Sequence, residues 1–234
     1  MNSKNIGKEA LMTLAKEITE LVRTMVKNHP KSFYYRDPQI HPYDMLNCAK
    51  TVIVIFISYS NVVYQDIKGN QKTSIIWSDA YMQTNALLNQ ITLNLQKLLE
   101  SKGFHGTSEP PTENFDHVTK TASWGHKSNA VIAGIGTFGL NHLIITKQGC
   151  LGRLNSLVTD AYIPATKRPD SSYCLYYKNG KCKVCTMNCP SGAISPNGDI
   201  DKKRCDAYLE GKNIHDWQQG CAQCSLGPCA LKGF

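Results

Sequence analysis

Eight of the ten cysteines of this 234-residue chain lie between Cys174 and Cys229, and only Cys48 and Cys150 precede them. A chain of this length buries a core without cross-links, so a disulfide staple is not what folding demands. The N-terminal stretch "MNSKNIGKEALMTLAKEITELVRTM" carries charges inside its apolar pattern and has no small-residue cleavage site. It reads as a helix rather than a secretion signal, and the cytoplasm is the expected compartment. In that compartment a cysteine cluster points to metal or redox chemistry.

The spacing narrows the choice. Cys182, Cys185 and Cys189 follow C-x2-C-x3-C-P, the latter part of the ferredoxin run C-x2-C-x2-C-x3-C-P, whose last cysteine ligates the other cluster. Asn179, Gly180 and Lys181 stand where the first cysteine of that run is expected, and Cys174 is its natural substitute. Cys205, Cys221, Cys224 and Cys229 complete eight soft ligands, the number that two [4Fe–4S] clusters require. Crossed ligation assigns Cys174, Cys182, Cys185 and Cys229 to one cluster, and Cys189, Cys205, Cys221 and Cys224 to the other. Two zinc sites are the alternative; the Cys-Pro ending and the interleaved spacing favour iron. Pro190 and Pro228 fix the turns beside the ligands, and "SGAI" after Pro190 reads as a short helix or strand packed over a cluster.

The formal net charge is +8, falling to about +4 if two clusters each bring about −2. The surplus admits an RNA or acidic partner, although the lysines are scattered as on an ordinary solvated surface. No run of 18 apolar residues suggests a membrane span.

Upstream of the cysteines, helical and strand patterns mix. Leu11, Leu14, Ala15, Ile18, Leu21, Val22 and Met25 recur at helical spacing, which predicts a first helix from roughly residue 7 to 28, ended by His29-Pro30. "TVIVIFISYS" (51–60) is β-branched and too apolar for a half-exposed strand, so it should be central and covered on both faces. Leu88, Ile91, Leu95, Leu98 and Leu99 mark a long helix ending near Gly103. "HLIIT" (142–146) and "LNSLVTD" (154–160) read as strands, and "IPATKRPDSS" (163–172) as a linker. The fold class is α/β, helices on a sheet, with an α/β domain over 1–165 and a cysteine-rich domain over 170–234.

"RCDAYLEG" followed by "GCAQC" resembles the iron–sulfur part of epoxyqueuosine reductases, relatives of the corrinoid-dependent reductive dehalogenases. "CAKTVIVIFISYS" is similar to that family's first core strand, "AVIAGIGTFGLNHLIITKQG" to its glycine-rich segment, and "LVTDAYIP" to the strand before the linker. The likeness runs from about residue 45 onward and marks a short, divergent member. It implies a nitroreductase-like α/β domain holding a corrinoid (cobalamin), followed by a small ferredoxin-like domain with two [4Fe–4S] clusters. Electrons would pass through the clusters to the corrinoid, which would reduce a substrate. The resemblance also implies a low-potential donor of ferredoxin or flavodoxin type, a small molecule or a tRNA as substrate, no membrane, and a homodimer as one admissible state. Two alternatives stay open: the same clusters feeding a flavin, and an electron-transfer protein that activates a partner corrinoid protein. The final set departs from the family's ending, since four residues separate Cys224 from Cys229, with Pro228 before the last cysteine. The family's Glu-Arg pair is replaced by His126 and Lys127, and its upstream aspartate by Lys120 or a neighbour, with Asp116 the nearest acid.

His126 and Asp116 are therefore the candidate catalytic acids, His126 because an ordinary imidazole titrates near neutrality. Gly134, Gly136, Thr137, Phe138, Gly139, Asn141 and Ile144 are the candidate cofactor-binding residues. "GIGTFG" (134–139) also fits the dinucleotide fingerprint, with Asp160 about 20 residues on, but no long helix pattern follows Gly139. A glycine loop that lets the backbone approach a flat cofactor is the expectation. Tyr59 and Tyr64 read as packing residues at a strand end, and His117 as a loop residue. Cys48 and Cys150 read as structural thiols, with Cys150 near a cofactor as a further option.

Overall fold

The computed structural model describes residues 23–26, 40–70, 74–111, 115–116, 121–211 and 220–234. In chain order the elements are β1 (Arg23–Val26), α1 (Pro42–Met45), β2 (Thr51–Ser58), α2 (Asn61–Gly69), α3 (Ile75–Glu100), β3 (Gly106–Ser108), β4 (Phe115–Asp116), β5 (Thr121–Ala122), α4 (His126–Ile132), β6 (Gly136–Phe138), β7 (Ile144–Thr146), β8 (Gly152–Thr159), α5 (Leu175–Asn179), α6 (Val184–Met187), α7 (Lys202–Gly211) and a 3-10 turn (Gln223–Ser225).

One antiparallel sheet runs β1-β2-β8-β3. β2 lies inside it, and Thr51 through Phe56 are all buried, as its unbroken apolar run requires. Its register against β8 pairs Val52 with Val158 and Ile53 with Leu157, so alternate residues of both strands share a face. Val52, Val54, Phe56 and Val158 pack with Trp124, Ala130 and Ile132 of the α4 region. Ile53 and Leu157 pack instead with Leu95 and Leu99 of α3. The polar positions obey the same alternation. Asn155 donates to Thr92 Oγ1 on α3 at 3.2 Å, whereas Ser156 Oγ accepts from Trp124 Nε1 at 2.8 Å on the other side. The sheet is thus sandwiched between α3 and α4.

The long helix, the central strand and the strands at 142–146 and 154–160 stand close to their expected places. The first helix does not: Arg23–Val26 pairs antiparallel with Val54–Thr51 as a strand beside β2. Edge pairing satisfies the β2 main chain, which outweighs a helical side-chain period. The rest of that expected helix lies outside the described residues.

The glycine segment is a β6–β7 hairpin rather than the entry to a helix. A Cβ on Gly136 would sit 2.5 Å from the Ile145 carbonyl oxygen and 2.7 Å from Ile144 Cγ2. At Gly134, φ is +78° and a Cβ would meet Arg168 Cα at 2.9 Å, so the linker backbone lies directly on this turn. After the linker, α5 is capped by Gly180 in the left-handed conformation, and Ile194 bridges Ile200. No helix among the described residues is long and apolar enough to cross a membrane.

Gly136→Ala should destabilise the protein by about 1–3 kcal/mol through overpacking of the hairpin. Gly69→Ala, whose Cβ meets open space at the end of α2, should be neutral or stabilising by up to about 1 kcal/mol. Urea unfolding of the two variants checks both signs.

Candidate functional site

Cys174 precedes α5, Cys182 follows it, Cys185 sits in α6 and Cys189 just after it. Cys205 is on α7, Cys224 in the 3-10 turn, and Cys221 and Cys229 flank that turn. Cys174, Cys182, Cys185 and Cys229 line one pocket, together with Leu140, Ile145, Val184 and Pro228. Burial, then the charges of Cys229, Cys174 and Cys182, push the Cys185 thiol up to about 11. The neighbours of Cys205 are different. Burial, then the charges of Cys221, Cys189 and Asp206, push it up to about 11. Cys224 is raised further, by burial and then by Cys221, Cys189, Cys205 and lastly Cys185. Four of the cysteines thus face one pocket, Cys205 and Cys224 neighbour Cys189 and Cys221, and Cys185 is also near Cys224.

Cysteine sulfurs are soft metal ligands. A tetrahedral zinc–thiolate site, with Zn–S of about 2.3 Å, sets its sulfurs about 3.8 Å apart. Among the described residues, the one trio of ligand atoms lying mutually within 4.8 Å is Cys48, His105 and Asp160, none of them from the eight. Cys189 shows how the fold favours the thiolate. Burial opposes ionisation, but the Ser191 hydroxyl at 3.4 Å and the N–H groups of Ile194, Ala193 and Ser191 hold its pKa below the ordinary thiol value.

The cysteine-rich segment is bound to the α/β body through main-chain groups. Cys150 N–H donates to the Cys229 and Ala230 carbonyls at 2.9 and 3.1 Å, and Leu151 N–H to Ala230 at 2.9 Å. Asn141 Nδ2 donates to the Cys224 carbonyl at 2.8 Å while its Oδ1 accepts from Leu143 N–H at 3.1 Å. His142, at φ 57°, shares a 2.7 Å bond between Nε2 and the Gly198 carbonyl. Cys150 is a ninth thiol in this junction. It is buried with its sulfur 3.9 Å from Cys229, and the contact keeps Cys150 protonated while lowering Cys229.

Protein groups already engage most of the seven residues expected to touch a cofactor. The Cβ sides of Gly134, Gly136 and Gly139 are filled by Arg168, Ile144, Ile145 and Asn141. Thr137 Oγ1 accepts from Tyr173 N–H at 2.8 Å, Phe138 packs half-buried on the core, Ile144 is buried in it, and Asn141 holds Cys224. The segment packs between the sheet and the cysteines, and on the Cβ side its glycines admit protein groups. Asp160, the acid of the dinucleotide fingerprint, is bonded to His105 instead.

His126 is corrected as well. Its Nδ1 lies 2.8 Å from Ser156 Oγ, and Nε2 is buried without a hydrogen-bond partner, as are both amide atoms of Asn129 one turn on. Burial, then the Arg153 guanidinium, lowers its pKa to about 4, against a weaker opposing pull from the Pro110 carbonyl. The ring is neutral at physiological pH and is no ready acid. Tyr59 is no substitute, since burial pushes its hydroxyl up to about 12; Tyr64 packs against the same cluster of side chains. Asp116 has its backbone in β4, but its side chain lies outside the described residues, as does His117. The Lys127 side chain is exposed, and its Nζ donates to the His142 carbonyl at 3.5 Å.

No protein-family model matches the chain. The epoxyqueuosine reductase of Yersinia pestis is 34% identical over 125 residues, 48% of this chain and 29% of the relative. That of Bacillus anthracis is 24% identical over 217 residues, 88% of this chain and 54% of the relative. The chain is similar to the epoxyqueuosine reductases. It spans about half the length of the curated relatives that it matches along most of its own. An epoxyqueuosine reductase crystallised with an epoxyqueuosine-modified tRNA stem loop superposes with a TM-score of 0.68 at 19% identity, over 97% of this chain and 66% of that one. A catabolic reductive dehalogenase gives 0.58 at 14% identity, over 87% and 33%. These likenesses support the mixed α/β fold.

Stability should depend on His126. Its folded pKa is below the ordinary 6.5, so its contribution is full above about pH 6.5 and is lost as pH falls towards about 4. The loss should reach about 3 kcal/mol, and denaturation curves of His126→Gln should lack that part of the pH dependence. Asn141→Ala, which strips the Cys224 carbonyl of its donor, should cost about 1–3 kcal/mol in the same assay.

Proposed function

We propose that the protein is an iron–sulfur reductase. The eight clustered cysteines hold two [4Fe–4S] clusters and relay single electrons to a corrinoid, in an epoxyqueuosine reductase-like reaction. The observation that supports this reading is that Cys174, Cys182, Cys185 and Cys229 line one pocket while Cys189, Cys205, Cys221 and Cys224 neighbour one another. Residues 170–234 form the ferredoxin-like part, and residues 1–165 the nitroreductase-like part that receives the electrons.

The chain's own residues would act as follows. The N–H groups around Cys189 stabilise its thiolate. Cys185 and Cys224 lie at the contact between the groups and shorten the electron path between the clusters. Asn141 fixes the second group to the glycine hairpin. A corrinoid held by the α/β part would supply a strongly reducing metal centre. The donor is a low-potential protein of ferredoxin or flavodoxin type, and the substrate a small molecule or a tRNA, the latter suggested by the relative crystallised with a tRNA stem loop. A second reading, an electron-transfer protein serving a partner corrinoid protein, is favoured by the neutral His126, which leaves no proton donor among the described candidates.

Anaerobic reconstitution with iron, sulfide and cobalamin tests the proposal. About eight irons per chain with stoichiometric cobalt support the reductase. Eight irons without cobalt move the reading to the electron carrier or to a flavin enzyme, and zinc in place of iron overturns both. Cys182→Ser and Cys224→Ser should each lose about four irons, whereas Cys48→Ser should keep all eight.

A further inference from the structure

The geometry points to a second, independent metal site, for a zinc-class divalent cation, formed by Cys48, His105 and Asp160 at one end of the sheet. The three ligand atoms lie within 4.8 Å of one another. Cys48 Sγ is 3.6 Å from Asp160 Oδ2, and His105 Nδ1 is 2.8 Å from the same oxygen. In a tetrahedral zinc site with Zn–S of about 2.3 Å and Zn–O and Zn–N of about 2.0 Å, the S···O and N···O edges are about 3.5 and 3.3 Å. The first edge already fits, and the second needs to open by about half an ångström.

The ligands sit on rigid backbone. Cys48 lies two residues before Lys50, whose N–H donates to the Thr159 carbonyl at 2.8 Å. The His105 carbonyl accepts from Thr159 Oγ1 at 2.7 Å and from Asp160 N–H at 3.3 Å. The other carboxylate oxygen, Asp160 Oδ1, accepts from His105 N–H at 2.8 Å, which fixes the direction of Oδ2. His105 and the Cys48 thiol both hydrogen-bond Asp160 Oδ2, which brings three metal-ligand types onto one point, two of them from segments more than fifty residues from Cys48 in sequence.

The donor set selects the cation. Thiolate, imidazole and carboxylate together suit zinc and its d-block neighbours, not magnesium or calcium. Three protein ligands leave a fourth position to water, as in open zinc sites. Binding expels the Cys48 proton and moves the imidazole proton from Nδ1 to Nε2, which the 72% exposure of the His105 side chain permits. Affinity therefore rises with pH. Neither the clusters nor the reductase reading enters this argument.

The test is calorimetric titration of the cluster-loaded protein with zinc under anaerobic conditions, with zinc-edge X-ray absorption on the one-to-one complex. Expected are one tight equivalent, a first shell of one sulfur and three nitrogen or oxygen atoms, and a zinc-dependent rise in Tm. In Cys48→Ser the sulfur is lost and affinity falls at least about tenfold; His105→Gln weakens binding comparably. Magnesium gives no heat. An all-sulfur shell, or equal zinc affinity in wild type and Cys48→Ser, overturns the site.

Discussion

The bonds from the Cys150 and Leu151 N–H groups to the Cys229 and Ala230 carbonyls decide where the last thiolate stands. Cys229 reaches the group of Cys174, Cys182 and Cys185 only because its backbone is fastened to the turn that leads into β8. That turn is itself tightly packed: Gly149, at φ +95°, has its Cβ side filled by the Ala230 carbonyl. A side chain at this glycine would displace the C-terminal segment and the ligand with it. The sheet, the turn and the cysteine constellation are therefore one mechanical unit.

The glycine hairpin carries the same logic from the other side. Gly134 admits the linker backbone, Gly136 admits the partner strand, and Asn141 reaches the second group through the Cys224 carbonyl. Thiolates need fixed amide donors and partial burial to remain ionised and to hold a cluster at a defined potential. A hairpin clamped against the ligand loops supplies that rigidity, which free cysteine-rich loops lack.

Burial also decides the protonation of His126. The ring is placed on α4 against Ser156, where desolvation and the Arg153 charge strip it of a proton at neutral pH. Lys127, its neighbour in sequence, is exposed. Adjacent helix positions diverge by about 100° around the axis, so one residue joins the packed interface and the next faces solvent.

The sequence alone determined the central strand and the long helix, because each is written as a local pattern: an unbroken β-branched run and a 3.6-residue period. Tertiary structure decided the rest. Arg23–Val26 pairs with β2 although its neighbours repeat with a helical period, since an open sheet edge is satisfied only by a strand. GIGTFG matches a cofactor fingerprint, yet what fills the space beside its glycines comes from Arg168, Ile144 and Ile145, which only the folded chain brings near. The pKa of His126 and the meeting of Cys48 with His105 and Asp160 were equally illegible, because both depend on burial and on contacts between segments distant in sequence.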